Sequence, residues 1–287
     1  MFELMLPALV AALLLAASHG YLGLHIIARG VIFVDLALAQ VAALGYTAAT
    51  LLGLGPSSPA AYAMGLGATL LGAFIFSVSR IRHPFITQEA IIGIVYVVAS
   101  AATILLAAQA PRGSEHVEDL LTGTLLWVGW GQIARTALVY AGIFGTHWFL
   151  RKRFLTISLQ PAVAREEGWS LTWWDFLFYA LFGLVVTMSV AIAGVLLVFS
   201  FLVIPAVIAY LFTRRPAALL ALALSSGTAA TLLGLFVSAS SDLPTGPTVV
   251  CAFGLALLVA FGVRRLMGPG TVVEREAAGP ATSPEAA

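Results

Sequence analysis

Long apolar runs separated by short polar breaks fill most of this chain of 287 residues. Each run holds at least about 18 residues, enough for an α-helix to cross the roughly 30 Å hydrocarbon core of a bilayer. The runs predict nine crossing helices, at residues 4–28, 31–53, 60–79, 84–109, 120–150, 172–192, 195–213, 217–238 and 247–264.

The predicted fold class is therefore all-α, a polytopic helical membrane protein with about nine transmembrane helices, within a range of roughly 8 to 10. The chain lacks the apolar–polar alternation of a membrane β-barrel, so helices satisfy the backbone in lipid. The sixth and seventh helices have little room between them. Their connection near Ala193 and Gly194 is either a tight turn, or one of the two segments enters the membrane only partway.

Positive charges predict the orientation. The longest internal polar break, residues 151–169, carries four cations: Arg151, Lys152, Arg153 and Arg165. With this break in the cytoplasm and the helices alternating sides, all but two of the 14 Lys and Arg residues lie inside. The exceptions are Arg112, outside, and Arg135, which is expected to face the bundle interior or a water-filled path. The N-terminus is then outside and the C-terminus inside.

Composition agrees with a membrane protein and excludes several functions. The chain is 61% hydrophobic and 9% charged, against about 25% charged in soluble domains, and its mean hydropathy is +1.02. Cys251 is the single cysteine, so an internal disulfide is excluded. No basic patch lies outside the cytoplasmic loops, so no nucleic-acid partner is predicted.

The chain also lacks the motifs of an ATPase. A Walker A loop needs Lys between Gly and Ser or Thr, and the one lysine, Lys152, lies between two arginines. Zinc-protease and serine-hydrolase motifs are absent as well. The sequence predicts that the protein is not an enzyme, and that any ATP-driven step needs a separate ATPase subunit.

Five stretches carry a resemblance to a known family. They are ARGVIFVDLALAQVAALG (28–45), QEAIIGIVYVVASA (88–101), EHVEDLLTGTLLWV (115–128), AGVLLVFSFLVIPAVIAYL (193–211) and SDLPTGPTVV (241–250). In this order they resemble the permease family of bacterial ABC importers for zinc, manganese and iron. The resemblance extends from about residue 5 to residue 265.

The break after the fifth helix also resembles this family, in which a short cytoplasmic coupling helix docks on the ATPase. The matching positions are Ser158, Gln160, Pro161, Ala164 and Gly168, with Gln160 standing where the family has Asp. Proline suits the first turn of a helix and glycine suits its C-terminal stop. The resemblance implies ATPase coupling over about residues 151–170; the alternative is an ordinary solvated connector.

The resemblance further implies a metal path along the second helix, where the family has Asp and His. Counting back from Gly45, the His position is Gln40 and the Asp position is Leu36, one residue after Asp35. Glutamine is a weaker ligand than imidazole for zinc. Asp35 and Gln40 are also about 140° apart on a helix. His25 is a candidate replacement ligand; the alternative is a structural histidine.

Three further polar residues are candidates. Glu89 begins the fourth helix, where a carboxylate favours the helix N-terminus; the alternative is a role in the inner gate or metal path. His116 lies in an acidic outer loop and Asp242 in a Pro/Gly turn. Both are outer-face candidates for contact with a binding protein, against the alternative of solvated loops.

The sequence thus predicts a permease subunit that acts as a homodimer in the bacterial inner membrane. Its partners would be an ABC ATPase, which uses the ATP, and an extracytoplasmic metal-binding protein; no cofactor is bound permanently. Residues 1–268 would form the permease domain and residues 269–287 a disordered cytoplasmic tail. The alternatives are a permease for vitamin B12 or iron chelates, or an ATPase-independent secondary transporter.

Overall fold

Helices account for nearly all of the chain that the computed structural model describes, which is residues 2–55, 58–80, 86–109, 123 and 125–267. Within those residues there are no strands. The elements are α1 (Phe2–Arg29), α2 (Val34–Leu51), α3 (Pro59–Val78), α4 (Gln88–Ala107), a 3₁₀ turn (Leu125–Trp127), α5 (Trp130–Phe149), α6 (Arg151–Leu159), α7 (Pro161–Glu166), α8 (Leu171–Phe212), α9 (Pro216–Ser241) and α10 (Thr245–Leu266).

Local sequence explains where several of these helices begin. The Ser58 hydroxyl accepts a hydrogen bond from the backbone N–H of Ala61 at 3.1 Å, and Pro59 occupies the first turn of α3. The Thr87 hydroxyl likewise accepts from the N–H of Ala90 at the start of α4. These caps satisfy N–H groups that a helix leaves without a partner in its first turn.

The longest helix, α8, folds back on itself. Its 42 residues would extend about 63 Å if straight, yet both of its ends contact the last two turns of α1. Asp175 pairs with Arg29, and the Tyr210 hydroxyl donates to the carbonyl oxygen of Leu24. The reversal falls at Gly194, whose φ of 75° and ψ of 162° only glycine adopts readily. The sequence predicted a connection at this residue.

In the described part of the chain, seven helices are long and apolar enough to cross a membrane: α1, α2, α3, α4, α8, α9 and α10. The start of the crossing predicted over 120–150 needs correction, because α5 begins only at Trp130. Helix α5 is not among the seven, so its crossing stays a prediction. Polar residues make α5 less apolar. One of them, Arg135, is exposed and donates to the Gly131 carbonyl of its own turn, so it does not face the interior of this bundle, while the alternative of a water-filled path stays a prediction.

The helices divide into inner and outer members of the bundle. About two thirds of the most apolar window of α8 is buried (67%), against 22% for α4 and for α10. The outer helices expose large apolar side chains such as Val97 and Leu258, as expected of surfaces that face lipid. The fold therefore places α1 and α8 at the centre of the bundle.

The polar break at 151–169 is helical over most of its length, although the sequence predicted a helix only in its second half, from Pro161 to Gly168. The polar residues conceal one apolar face: Phe154 and Ile157 in α6 and Ala164 in α7 are all fully buried. Spacings of three or four residues place Phe154 and Ile157 on the same side of α6. The predicted tail at 269–287 and His116 lie outside the described residues.

Candidate functional site

The short helix α7 has the two end signals that the sequence predicted. Pro161 occupies its first turn. At its other end Gly168 has φ +75°, the N–H of Gly168 donates to the Arg165 carbonyl, and the N–H of Trp169 donates to the Ala164 carbonyl. This pair of bonds is the Schellman motif, which glycine favours at its left-handed position. Gln160 is the N-cap residue, without a side-chain capping bond.

We call α6 and α7 together the coupling segment. Of the residues in α7, only Ala164 is buried, while its neighbours Ala162 and Val163 are exposed. On α6, the guanidinium of Arg153 lies over the Trp174 ring at 4.7 Å and that of Arg151 over the Trp148 ring at 4.5 Å. The coupling segment therefore presents a mixed cationic and apolar surface at one end of the bundle.

A buried arginine cluster, formed by Arg29, Arg80 and Asp175, lies beneath this segment. Arg29 Nη1 is 2.5 Å from Asp175 Oδ1 and Arg80 Nη1 is 2.6 Å from Asp175 Oδ2. The Asp175 side chain is fully buried, and the Arg29 side chain is only 2% exposed. Arg29 also stacks 3.9 Å above the Phe178 ring. A buried charge pair of this kind becomes costly when one partner is removed, because the other charge stays desolvated.

Ser158 of the coupling segment is bonded to the end of α1. Arg29 Nε donates to Ser158 Oγ at 2.9 Å, and His25 Nδ1 lies 2.9 Å from the same oxygen. The rings nearest His25 are those of Tyr21, His147 and Phe178. The structure thus places the candidate ligand His25 against the coupling segment, beside a largely apolar cavity of about 460 Å³.

The second buried aspartate, Asp35, has different surroundings. It lies in the first turn of α2 and is 1% exposed, and its Oδ1 has no hydrogen-bond partner in the described chain. Gln40 is half-buried on another side of the helix. Among the residues that the structure describes, no three His, Cys, Asp or Glu side chains are grouped closely enough to hold a metal ion. A single chain thus offers Asp35 as a buried carboxylate whose Oδ1 keeps an unused lone pair.

Glu89 forms a hydrogen bond with the backbone at the beginning of α2. Its Oε1 accepts a hydrogen bond from the backbone N–H of Phe33 at 3.0 Å, and Phe33 is the N-cap residue of α2. The carboxylate is therefore bonded to the turn between α1 and α2, which the sequence did not indicate. Asp242, the outer-face candidate, is exposed and ends α9 in the left-handed region with φ 52°, a conformation that aspartate tolerates better than most residues.

Sequence reasoning missed the arginine cluster. In the sequence, Arg29 and Arg80 counted only among the cations that predict the orientation, and no role was predicted for Asp175. The available signal was that Asp175 is an acidic residue at the start of a long apolar run. An ionisable group in such a position is paired or functional by default, but the sequence does not reveal its partners.

The apolar helices and their burial pattern define a multi-pass membrane protein with a helical segment packed across one end of its bundle. The whole bundle matches a known family: residues 1–264 fit the ABC 3 transport family, so the chain belongs to it. This match confirms the resemblance drawn from the five sequence stretches.

Individual relatives cover nearly the whole chain. A Haemophilus influenzae protein named "Probable iron transport system membrane protein" is 25% identical over 265 residues, which is 92% of this chain and 95% of that protein. The manganese transport system membrane protein MntC of Listeria monocytogenes is 25% identical over 260 residues, covering 91% and 90%. Among solved structures, PsaBC from Streptococcus pneumoniae in complex with Fab aligns with a TM-score of 0.74 at 25% identity, covering 91% of this chain and 92% of that chain.

Proposed function

We propose that this chain is the membrane-spanning permease subunit of an ATP-driven importer for divalent transition-metal ions. Two copies would form one pathway in the bacterial inner membrane. A separate ATPase would dock on the coupling segment, and an extracytoplasmic binding protein would deliver zinc, manganese or iron to the opposite face.

The observation that carries this proposal is the coupling segment in a chain of the ABC 3 transport family. A capped six-residue helix, α7, follows a helix whose inner face is buried, so its outer residues are held in a fixed position. The exposed Val163 and the cations of α6 give this surface both apolar and charged contacts for a partner. ATP-driven transport by this chain requires such a contact, because its sequence contains no Walker A motif.

The proposal also includes an orientation in the membrane and a number of crossing helices. Cations concentrate at this end of the bundle: Arg29 lies in the last turn of α1, three cations open α6, and Arg214 and Arg215 follow α8, which supports placing this end in the cytoplasm. The reversal of α8 at Gly194 supplies two crossings from one helix. Counting α5 as a further crossing, we infer nine crossings, with the N-terminus outside and the C-terminus inside.

The identity of the metal is the finer part of the proposal. The named relatives are linked to iron and to manganese at the same 25% identity, so similarity does not choose between these ions. The carboxylate of Asp35 is an oxygen ligand, which suits manganese better than it suits zinc. We therefore expect manganese or iron ahead of zinc.

The test is whole-cell elemental analysis of a deletion strain and its complemented partner, both grown in metal-poor medium. The proposal predicts a selective fall in one of the three metals that complementation restores. If no metal changes while the protein is stably present in the membrane, the proposal is wrong, and uptake of vitamin B12 and of iron chelates becomes the next assay.

A further inference from the structure

Arg29 joins three parts of the bundle through a single side chain. Its Nε donates to Ser158 of the coupling segment, its Nη1 pairs with Asp175 of α8, and its backbone ends α1. The side chain is 2% exposed, so water does not compete for these contacts. A displacement of Ser158 is therefore resisted directly by the end of α1.

The chain that follows Arg29 leads at once to the proposed metal path. Gly30 turns the backbone with φ +69°, and α2 begins at Val34, so only a short turn separates Arg29 from Asp35. The far side of this turn is held to α4, because Glu89 accepts the hydrogen bond of the Phe33 N–H. The α1–α2 turn is thus anchored to the coupling segment on one side and to α4 on the other.

We propose that Arg29 is the positioning residue that transmits movement of the coupling segment to the start of α2, and hence to Asp35. This inference rests on the proposed function, since it requires an ATPase that moves the coupling segment. Packed interfaces of this kind switch between discrete arrangements and do not deform continuously. A buried side chain bonded to the coupling segment, on a residue whose backbone continues directly into the α1–α2 turn, can therefore keep the two arrangements matched.

Arginine suits this role for a geometric reason. Its planar guanidinium presents donors in fixed directions, so one group can bind the Ser158 hydroxyl and the Asp175 carboxylate at once. Lysine keeps the charge, but all of its N–H donors lie on one nitrogen. Arg29→Lys is therefore expected to retain the ion pair and lose the link to Ser158, and Ser158→Ala removes the same link from the other end.

The test measures ATP hydrolysed per metal ion transported, in proteoliposomes that contain the permease, its ATPase and its binding protein. The ion is Mn²⁺, or whichever of iron and zinc the elemental analysis selects. Arg29→Lys and Ser158→Ala are each expected to raise this ratio about tenfold, which lies within the range for residues on a coupling network. Co-purification of the ATPase is expected to be unchanged, which separates lost transmission from lost docking.

Two matched controls carry the same chemical changes elsewhere. Arg265→Lys alters an exposed arginine at the end of α10, and Ser225→Ala removes an exposed hydroxyl that bonds only within its own helix turn. Both controls are expected to keep the wild-type ratio.

The outcomes separate the two proposals. Wild-type proteoliposomes without ATP-dependent uptake would contradict the proposed function itself. Working wild type with an unchanged ratio in Ser158→Ala would overturn the role of Arg29. Ser158→Ala decides the matter even if Arg29→Lys fails to reach the membrane, because it leaves the ion pair with Asp175 intact.

Discussion

Two buried aspartates in this protein differ in what surrounds them. Asp175 has an arginine on each carboxylate oxygen, at 2.5 and 2.6 Å. Asp35 is equally inaccessible, yet its Oδ1 has no hydrogen-bond partner in the described chain. The first carboxylate is neutralised by the protein and connects α1, α8 and the end of α3. The second keeps a lone pair that a cation can use.

The difference teaches that burial alone does not identify a functional carboxylate. Desolvating a charge costs several kcal/mol unless a counter-charge compensates, so an unpaired buried acid needs a reason to persist. For Asp175 the reason is that two guanidinium groups compensate its charge. For Asp35 we infer that the reason is the transported ion, and the following variants test this contrast.

The largest expected effect is on stability at the arginine cluster. Asp175→Asn would leave Arg29 and Arg80 without their anionic partner, and breaking such a buried pair costs about 3–5 kcal/mol. We expect a marked loss of folded protein, measured as the thermal unfolding temperature in detergent. Asp35→Asn is the matched control and is expected to unfold near the wild-type temperature. The reverse ranking would contradict the assignment.

The close contact between α1 and α8 gives the next largest effect. A Cβ on Gly23 would lie 1.9 Å from the Leu202 carbonyl oxygen, whereas one on Gly93 would meet nothing within 4 Å. Overpacking of this kind costs about 1–3 kcal/mol. Gly23→Ala should therefore lower the unfolding temperature and Gly93→Ala should not. Equal behaviour of the two would argue against the central position of α1 and α8.

Asp35 is expected to affect transport more than stability. Loss of a supporting group near a bound metal already lowers metal affinity on the order of tenfold, so loss of a ligand should lower uptake at least as much. Metal uptake per molecule of membrane-inserted protein measures this in Asp35→Asn. Uptake at the wild-type rate by that variant would show that Asp35 is not part of the metal path.

The smallest effect is expected at Glu89. Glu89→Gln keeps an acceptor for the Phe33 N–H and removes only the charge, so the bond changes by about 1 kcal/mol or less. We expect near-normal unfolding and a modest change in uptake. A loss of uptake as large as that of Asp35→Asn would instead assign Glu89 to the inner gate or the metal path, which is the alternative that the sequence left open.

Most of the fold could be predicted because it depends on local signals. Apart from the start of α5, apolar runs located the long helices to within a few residues, and glycine marked both the reversal at Gly194 and the end of α7 at Gly168. The helix α6 was missed because its cations conceal a narrow buried face. The partners of Asp175 and the contact between His25 and Ser158 join residues more than 90 positions apart, and no local pattern encodes them.

The most direct test of the central claim is ATP-dependent metal uptake into proteoliposomes, comparing wild type with Gly168→Val. Nothing lies within 4 Å of a Cβ at Gly168, so the substitution acts only through its positive φ and strains the end of α7. The account predicts that wild type accumulates metal only when the ATPase and ATP are present, and that Gly168→Val reaches the membrane but loses most uptake. Uptake without the ATPase, or full uptake by Gly168→Val, would contradict it.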